Sequence, residues 1–270
     1  MNTLRLGYAR VRYETLTYFR HADTIFFTFL FPAVMLGIFS VAFQGLGKVG
    51  AAPDGSGGIS QAAYYLPGMI AAGILLSGVQ NLGIDIALEK SDGTLKRLGG
   101  TPLPVVSYFL GKIGQVFVTS VLQIGLLLLI ARVGFGVELP TSASIWGRFA
   151  WIYLLGIATS AILGIAISAV PRSGKSASAV VIPLVLILQF ISGVYLNFHL
   201  LPEWLQNIAG LFPLKWIAQG MRGVFLPATF ETQEQGGSWN ITGIVIALGI
   251  WLIAGLIISR VTFRWIRKNG

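Results

Sequence analysis

Few side chains in this sequence have both the type and the spacing for bond-making chemistry. His21 and His199 stand far apart with no acidic cluster beside either, and there is no cysteine. Donor supply therefore excludes a thiolate nucleophile and argues against a transition-metal site. Gly174-Lys175-Ser176 resembles the tail of a phosphate-binding loop. That pattern needs a glycine five residues before Gly174, where Ala169 stands, and a preceding strand in place of an apolar run. Asp23, Asp85 and Glu89 lie at the margins of apolar runs, and no carboxylate pair or histidine falls inside one to act as base or ion ligand. Asn240-Ile241-Thr242 matches a glycosylation triplet, a pattern too short to carry weight.

What remains is charge gathered in one place. Glu89 to Lys112, EKSDGTLKRLGGTPLPVVSYFLGK, packs six of the chain's 29 formally charged side chains into 24 residues between two long apolar segments. Gly93, Gly99, Gly100, Pro102 and Pro104 break regular structure, whereas Thr94 to Leu98 suits a short helix. Lys96 and Arg97 fall near its C-terminal end, where cations complement the helix dipole. The stretch reads as a short cytoplasmic element held against the membrane and exposed for a partner to push on.

The elements that would hold it there are membrane spans. The chain is 54% hydrophobic and only 11% charged, with mean hydropathy +0.76, against roughly 25% charge in soluble domains. The formal net charge of +9 is dispersed between apolar runs instead of forming one basic face, which excludes nucleic acid as a partner. Runs of about 20 apolar residues suffice to cross a bilayer, and six are predicted as helices: 24–43, 63–84, 106–131, 147–170, 177–197 and 240–260. They lack alternating polarity, so the fold class is all-α, not a barrel. The first run is too long for a cleavable signal and has no small-x-small site closing it. With both termini cytoplasmic, 14 of the 19 Lys and Arg residues fall inside, leaving Lys48, Arg132, Arg148, Lys215 and Arg222 outside. That count uses Arg172 and the basic tail with Arg260, Arg264, Arg267 and Lys268.

Residues 1–22 carry Leu4, Tyr8, Val11 and Phe19 among arginines and predict a basic helix along the inner interface. A solvated basic tail that only fixes topology is the alternative. Gly45 to Ser60 predicts a flexible external loop. Gly68, Ala72, Gly73 and Ser77, then Gly156, Ser160, Gly164 and Ser168, form small-residue seams for close helix packing, as do Gly243, Ala247, Gly255 and Ser259. Residues 198–225 hold apolar pieces interrupted by Pro202, Gly210 and Pro213, each too short to span, and read as a re-entrant extracellular segment.

On these residues the chain resembles the permease subunits of type-2 ABC exporters, the family of daunorubicin-resistance-type and polysaccharide or teichoic-acid export permeases. The first match is Glu89, Gly93-Thr94, Leu95 and Leu98, Thr101-Pro102-Leu103, then Gly111-Lys112. The second is Ser192-Gly193-Val194, Leu201-Pro202 with Trp204-Leu205, Phe212-Pro213-Leu214 and Arg222. Many members carry a further proline between Ser192 and Pro202, where this chain has Tyr195 to Leu200. Leu76-Ser77-Gly78-Val79-Gln80 is similar to a nucleotide-contacting signature of ABC ATPases, but it lies in an uncharged membrane segment and reads as coincidence.

The resemblance implies a permease dimer, with a second copy or a paralogue, in a bacterial or archaeal cytoplasmic membrane. Two ABC ATPase subunits would bind the ATP and Mg, leaving this chain without a cofactor, metal or catalytic residue. It implies that residues 86–104 form a coupling loop in which Glu89, Gly93, Thr94, Leu98 and Pro102 transmit the nucleotide cycle. Arg10, Arg12 and Arg20 of the interface helix support it. A substrate path is expected along spans one, two and five at Met35, Phe39, Leu75, Val79, Gln80, Leu188, Phe190 and Ile191. The expected cargo is an amphipathic drug-like or lipid-linked molecule. The alternatives are glycan export, or a non-transporting scaffold or immunity protein.

Overall fold

The computed structural model describes residues 3–51, 57–171 and 173–262; Arg172 and the basic tail from 263 onward lie outside the described residues. The described chain is helical apart from one hairpin. In order it runs α1 (Thr3–Tyr18), α2 (Ala22–Ile25), α3 (Phe31–Ala42), the antiparallel pair β1 (Val49–Ala51) and β2 (Gly57–Ile59), α4 (Gln61–Leu75), α5 (Leu82–Ser91) and α6 (Thr94–Gly99). Then come α7 (Val105–Phe135), α8 (Ala143–Ile167), α9 (Gly174–Ile191), α10 (Glu203–Ala209), α11 (Pro213–Phe225) and α12 (Ile241–Thr262). Two π-helical turns interrupt the pattern: Phe26–Leu30 between α2 and α3, and Leu76–Asn81 between α4 and α5.

Among the described residues, five helices are long and apolar enough to cross a membrane: Gln61–Ser91, Val105–Phe135, Ala143–Ile167, Gly174–Ile191 and Ile241–Thr262. The expected first crossing is a shorter apolar helix, Phe26–Ala42, opening with a π turn. Gln61–Ser91 and Val105–Phe135 have 31 residues each, about 46 Å at 1.5 Å per residue, against a hydrocarbon layer of roughly 30 Å. Each is longer than that layer is thick, and α6 joins them at one end, here termed the foot.

Glycine sets how close the helices come. A Cβ on Gly164 of α8 would stand 2.0 Å from the carbonyl oxygen of Gly78, and one on Gly78 would stand 2.5 Å from the Ser160 Cβ. The seam read in the fourth span is therefore the contact with the π turn of Gln61–Ser91. Gly255 of α12 meets Ile162, and the Ser259 hydroxyl donates to the Ile162 carbonyl (3.3 Å). Pairing small residues trades side-chain volume for backbone proximity, a common device between helices in lipid.

One sequence expectation changes. The stretch 45–60 includes the β1–β2 hairpin, with Val49 opposite Ile59 and Ala51 opposite Gly57, capped by a small cluster of Leu226, Phe230 and Trp239. Gly174-Lys175-Ser176, the fragment that resembled a phosphate loop, begins α9. Ser173 and Ser176 exchange side-chain and backbone hydrogen bonds as a capping box. Gly174 packs closely there: a Cβ would lie 2.3 Å from the Ser91 hydroxyl and 2.9 Å from the Leu88 side chain, so those groups would have to shift.

Candidate functional site

At the foot, three helices each contribute two polar side chains one turn apart: Arg10 and Glu14 from α1, Asp85 and Glu89 from α5, Tyr108 and Lys112 from α7. Residues four apart share a helix face, and close packing brings the faces together. Ser107 donates to the Thr3 carbonyl (2.9 Å), Gly7 lies against Leu110, Gly111 against Arg10 and Gly114 against Val11. These contacts climb both helices together, so α1 runs beside α7 in the same direction. A Cβ on Gly111 would stand 2.2 Å from the Arg10 Cγ, so glycine admits α1.

Lys112 Nζ donates to Glu14 Oε2 (2.9 Å), Asp85 Oδ2 (2.5 Å) and Glu89 Oε1 (2.8 Å), and its side chain is 1% exposed. Tyr108 donates to Glu89 Oε2 (2.6 Å), and Arg10 lies 2.5 Å from Glu14 and 3.8 Å from Glu89. A buried ammonium is tolerated only when paired this fully. Carboxylate oxygens of Glu14, Asp85 and Glu89 lie within 4.8 Å of one another, a spacing that would suit a metal ion. The Lys112 ammonium takes that place. Three carboxylates against two cations leave the cluster one formal charge negative.

Behind α5, the chain turns at Gly93, whose φ of +80° favours glycine, and enters α6. The Thr94 N–H donates to Asp92 Oδ1 (2.8 Å). Despite slight desolvation, this bond, the Thr94 side chain and nearby Arg97 hold the Asp92 carboxyl below its ordinary value. Leu95 is buried and Leu98 partly buried, while Lys96 and Arg97 point outward. The helix is anchored by one apolar edge and presents a basic one.

Beside the cluster lies a cavity of about 680 Å³. Tyr18, Phe27 and Phe31 line one side, and Leu76, Gln80 and Asn81 another. Ile182, Val185 and Gln189 of α9, with Gln115 of α7, complete much of the wall. The π turns meet here, where Asn81 donates to the Thr28 hydroxyl (2.8 Å). Gln189 accepts a hydrogen bond from Tyr195 at the far side. Beyond it Tyr195 and Phe43 stack on Phe39, at centroid distances of 5.7 and 5.8 Å, and Tyr65 lies tilted against it at 4.9 Å. Further out, buried Arg222 makes a two-pronged bond to Glu234 and reaches the Gly193 carbonyl (3.4 Å).

Of the eight residues expected along a path, Gln80 lines this cavity. Leu75, Val79 and Leu188 are buried between helices, and Met35, Phe39 and Ile191 are partly buried against the core. Phe190 is exposed and edges against Tyr195. Arg10 turns into the cluster, whereas Arg12 and Arg20 are exposed, as is Pro102. Glu89 is held by Lys112, Tyr108 and Arg10 instead of facing outward. Glu14 was missed by reading the sequence; its signal is a lone acid amid the arginines of the first 20 residues.

The described residues thus form a helical bundle with a charged helix between two long apolar ones and an apolar-walled cavity beside it. The model of the ABC-2 type transporter family matches residues 7–226. The chain belongs to that family. It is also similar to the uncharacterized protein YhgE of Bacillus subtilis (strain 168), 24% identical over 161 residues. The match covers 59% of this chain and 19% of that protein, so the chain spans about a fifth of its relative's length.

Proposed function

We propose that this chain is the permease of an ATP-driven exporter for amphipathic molecules, working as a dimer with two ATPase subunits that bind ATP and Mg. The foot faces the cytoplasm in this reading, and residues 198–225 fold back from the outside. Helix α6 receives the push of the ATPase. The observation that carries the reading is the buried cluster on Lys112. It ties α5, which leads into α6, to α1 and α7, and it borders the cavity. Movement of α6 then reaches three helices together, because the buried Lys112 ammonium of α7 holds carboxylates of both α1 and α5. ATP-dependent closure at the foot and opening of the Phe39–Tyr65–Tyr195 stack would release cargo on the far side. The cavity volume fits a drug-sized solute or lipid tail, which favours that cargo over a glycan chain.

The test is ATP hydrolysis and uptake in vesicles by the chain co-purified with its ATPase, for wild type, Glu89→Ala and Gly93→Pro. The expected result is stable co-purification, with hydrolysis uncoupled from transport in both variants. Failure of any ATPase to associate, or full coupling in both variants, refutes the proposal.

A further inference from the structure

The charges of the foot cluster are sorted with respect to the cavity. Glu14 and Asp85 line it; Lys112 and Arg10 do not. The only other ionisable side chains on its described wall are Tyr18 and His21. The two carboxylates thus face the space while their cations lie behind them. The Asp85 side chain is 49% exposed, although Lys112 beside it is 1% exposed. The remaining wall combines rings and aliphatic groups with the carboxamides of Gln80, Asn81 and Gln115, which bind polar groups without adding charge. Such a wall rewards a positive group near Asp85 attached to an apolar body reaching toward Ile182 and Phe31.

From this sorting we infer that the cavity binds amphipathic monocations, with Asp85 and Glu14 as the cation subsite. The inference deepens the exporter reading and rests on it only for the steps after binding. A cation at Asp85 also competes with Lys112 for the same carboxylate. Occupancy thereby loosens one of the three contacts that hold α5 to α7, giving the site a route to report its cargo to α6.

Binding is measured on the complete permease alone in uncharged phosphatidylcholine nanodiscs, without ATP or ATPase, using radiolabelled tetraphenylphosphonium. Triphenylphosphine oxide serves as the neutral competitor of similar shape. The expected result is at least tenfold tighter binding of the cation, the scale of one screened charge contact. In Asp85→Asn that preference falls to within about twofold, while Glu138→Gln, an exposed acid outside the cavity, leaves it intact. Equal affinity for cation and neutral compound in the wild type overturns the inference whatever the variants do, as does a preference that survives in Asp85→Asn. Two further arms locate the source of the cation. Displacement by a diacyl trimethylammonium lipid in the disc supports a ligand from the bilayer, and displacement only by soluble cations supports one from the cytosol. Loss of cation preference leaves the exporter reading standing, and absence of an ATPase partner leaves the binding result standing.

Discussion

Replacing Lys112 by methionine removes the one ammonium that touches all three carboxylates of the foot while keeping most of the side chain's volume. Removing one member of a buried ion pair leaves the others uncompensated and costs about 3–5 kcal/mol. The structure says where the loss falls. Asp85 is 49% exposed at its side chain and can rehydrate, so its contact is worth roughly 0–1 kcal/mol. Glu14 is 7% exposed but keeps Arg10 at 2.5 Å. Glu89, 15% exposed and 3.8 Å from Arg10, retains chiefly the Tyr108 hydroxyl. Most of the strain therefore sits on Glu89. Adding Glu89→Gln to Lys112→Met should recover about 2 kcal/mol, and adding Asp85→Asn less than about 1 kcal/mol. Reversible unfolding in mixed micelles, followed by tryptophan fluorescence, measures each variant and completes the double-mutant cycles. Unfolding of Lys112→Met within about 1 kcal/mol of wild type, or rescue by Asp85→Asn equal to that by Glu89→Gln, would show that Glu89 does not carry the loss.

Other substitutions probe separate parts of the frame. Gly164→Ala drives a methyl into the Gly78 carbonyl and should destabilise by about 1–3 kcal/mol in the same unfolding assay, whereas Gly249→Ala, with nothing near it, should not. Gly93→Ala meets no atom within 4 Å yet must hold φ near +80°, so it should cost about 1 kcal/mol, visible as faster proteolysis between α5 and α6. Ser173→Ala removes half of the α9 capping box, a loss of about 1 kcal/mol that Ser173→Asp should largely restore. Arg222→Lys keeps the charge but gives up the two-pronged bond to Glu234, and thermal scans should show it destabilised nearly as much as Arg222→Gln.

Much of the frame was legible in the sequence. Uncharged runs marked the helices, the Gly93 and Pro102 breaks bracketed α6, and Gly156 to Ser168 announced a close contact because a four-residue step is a helical address. Asp85 and Glu89 could be seen to share a face by the same rule. Their gathering around Lys112 could not, since Glu14 and Lys112 are 98 positions apart and no periodicity links them. The cavity was equally hidden. It is the space that helices leave unfilled, so residues chosen for apolar character alone, such as Leu75 and Val79, fell in the packing between helices. The π turn at Phe26–Leu30 lay inside the first apolar run unseen, because hydropathy does not signal it.

The two π turns give the cavity wall an unusual degree of freedom. A π turn holds one residue more than the α-turn it replaces, so each of these two helices carries a surplus residue beside the same space, and Asn81 pins them together at Thr28. Absorbing or relocating that surplus by a single residue swings the side chains beyond it by about 100°. The surplus residue of each turn thus sits at the wall that Gln80, Asn81 and Phe27 share, where a change of one residue in register would alter the lining.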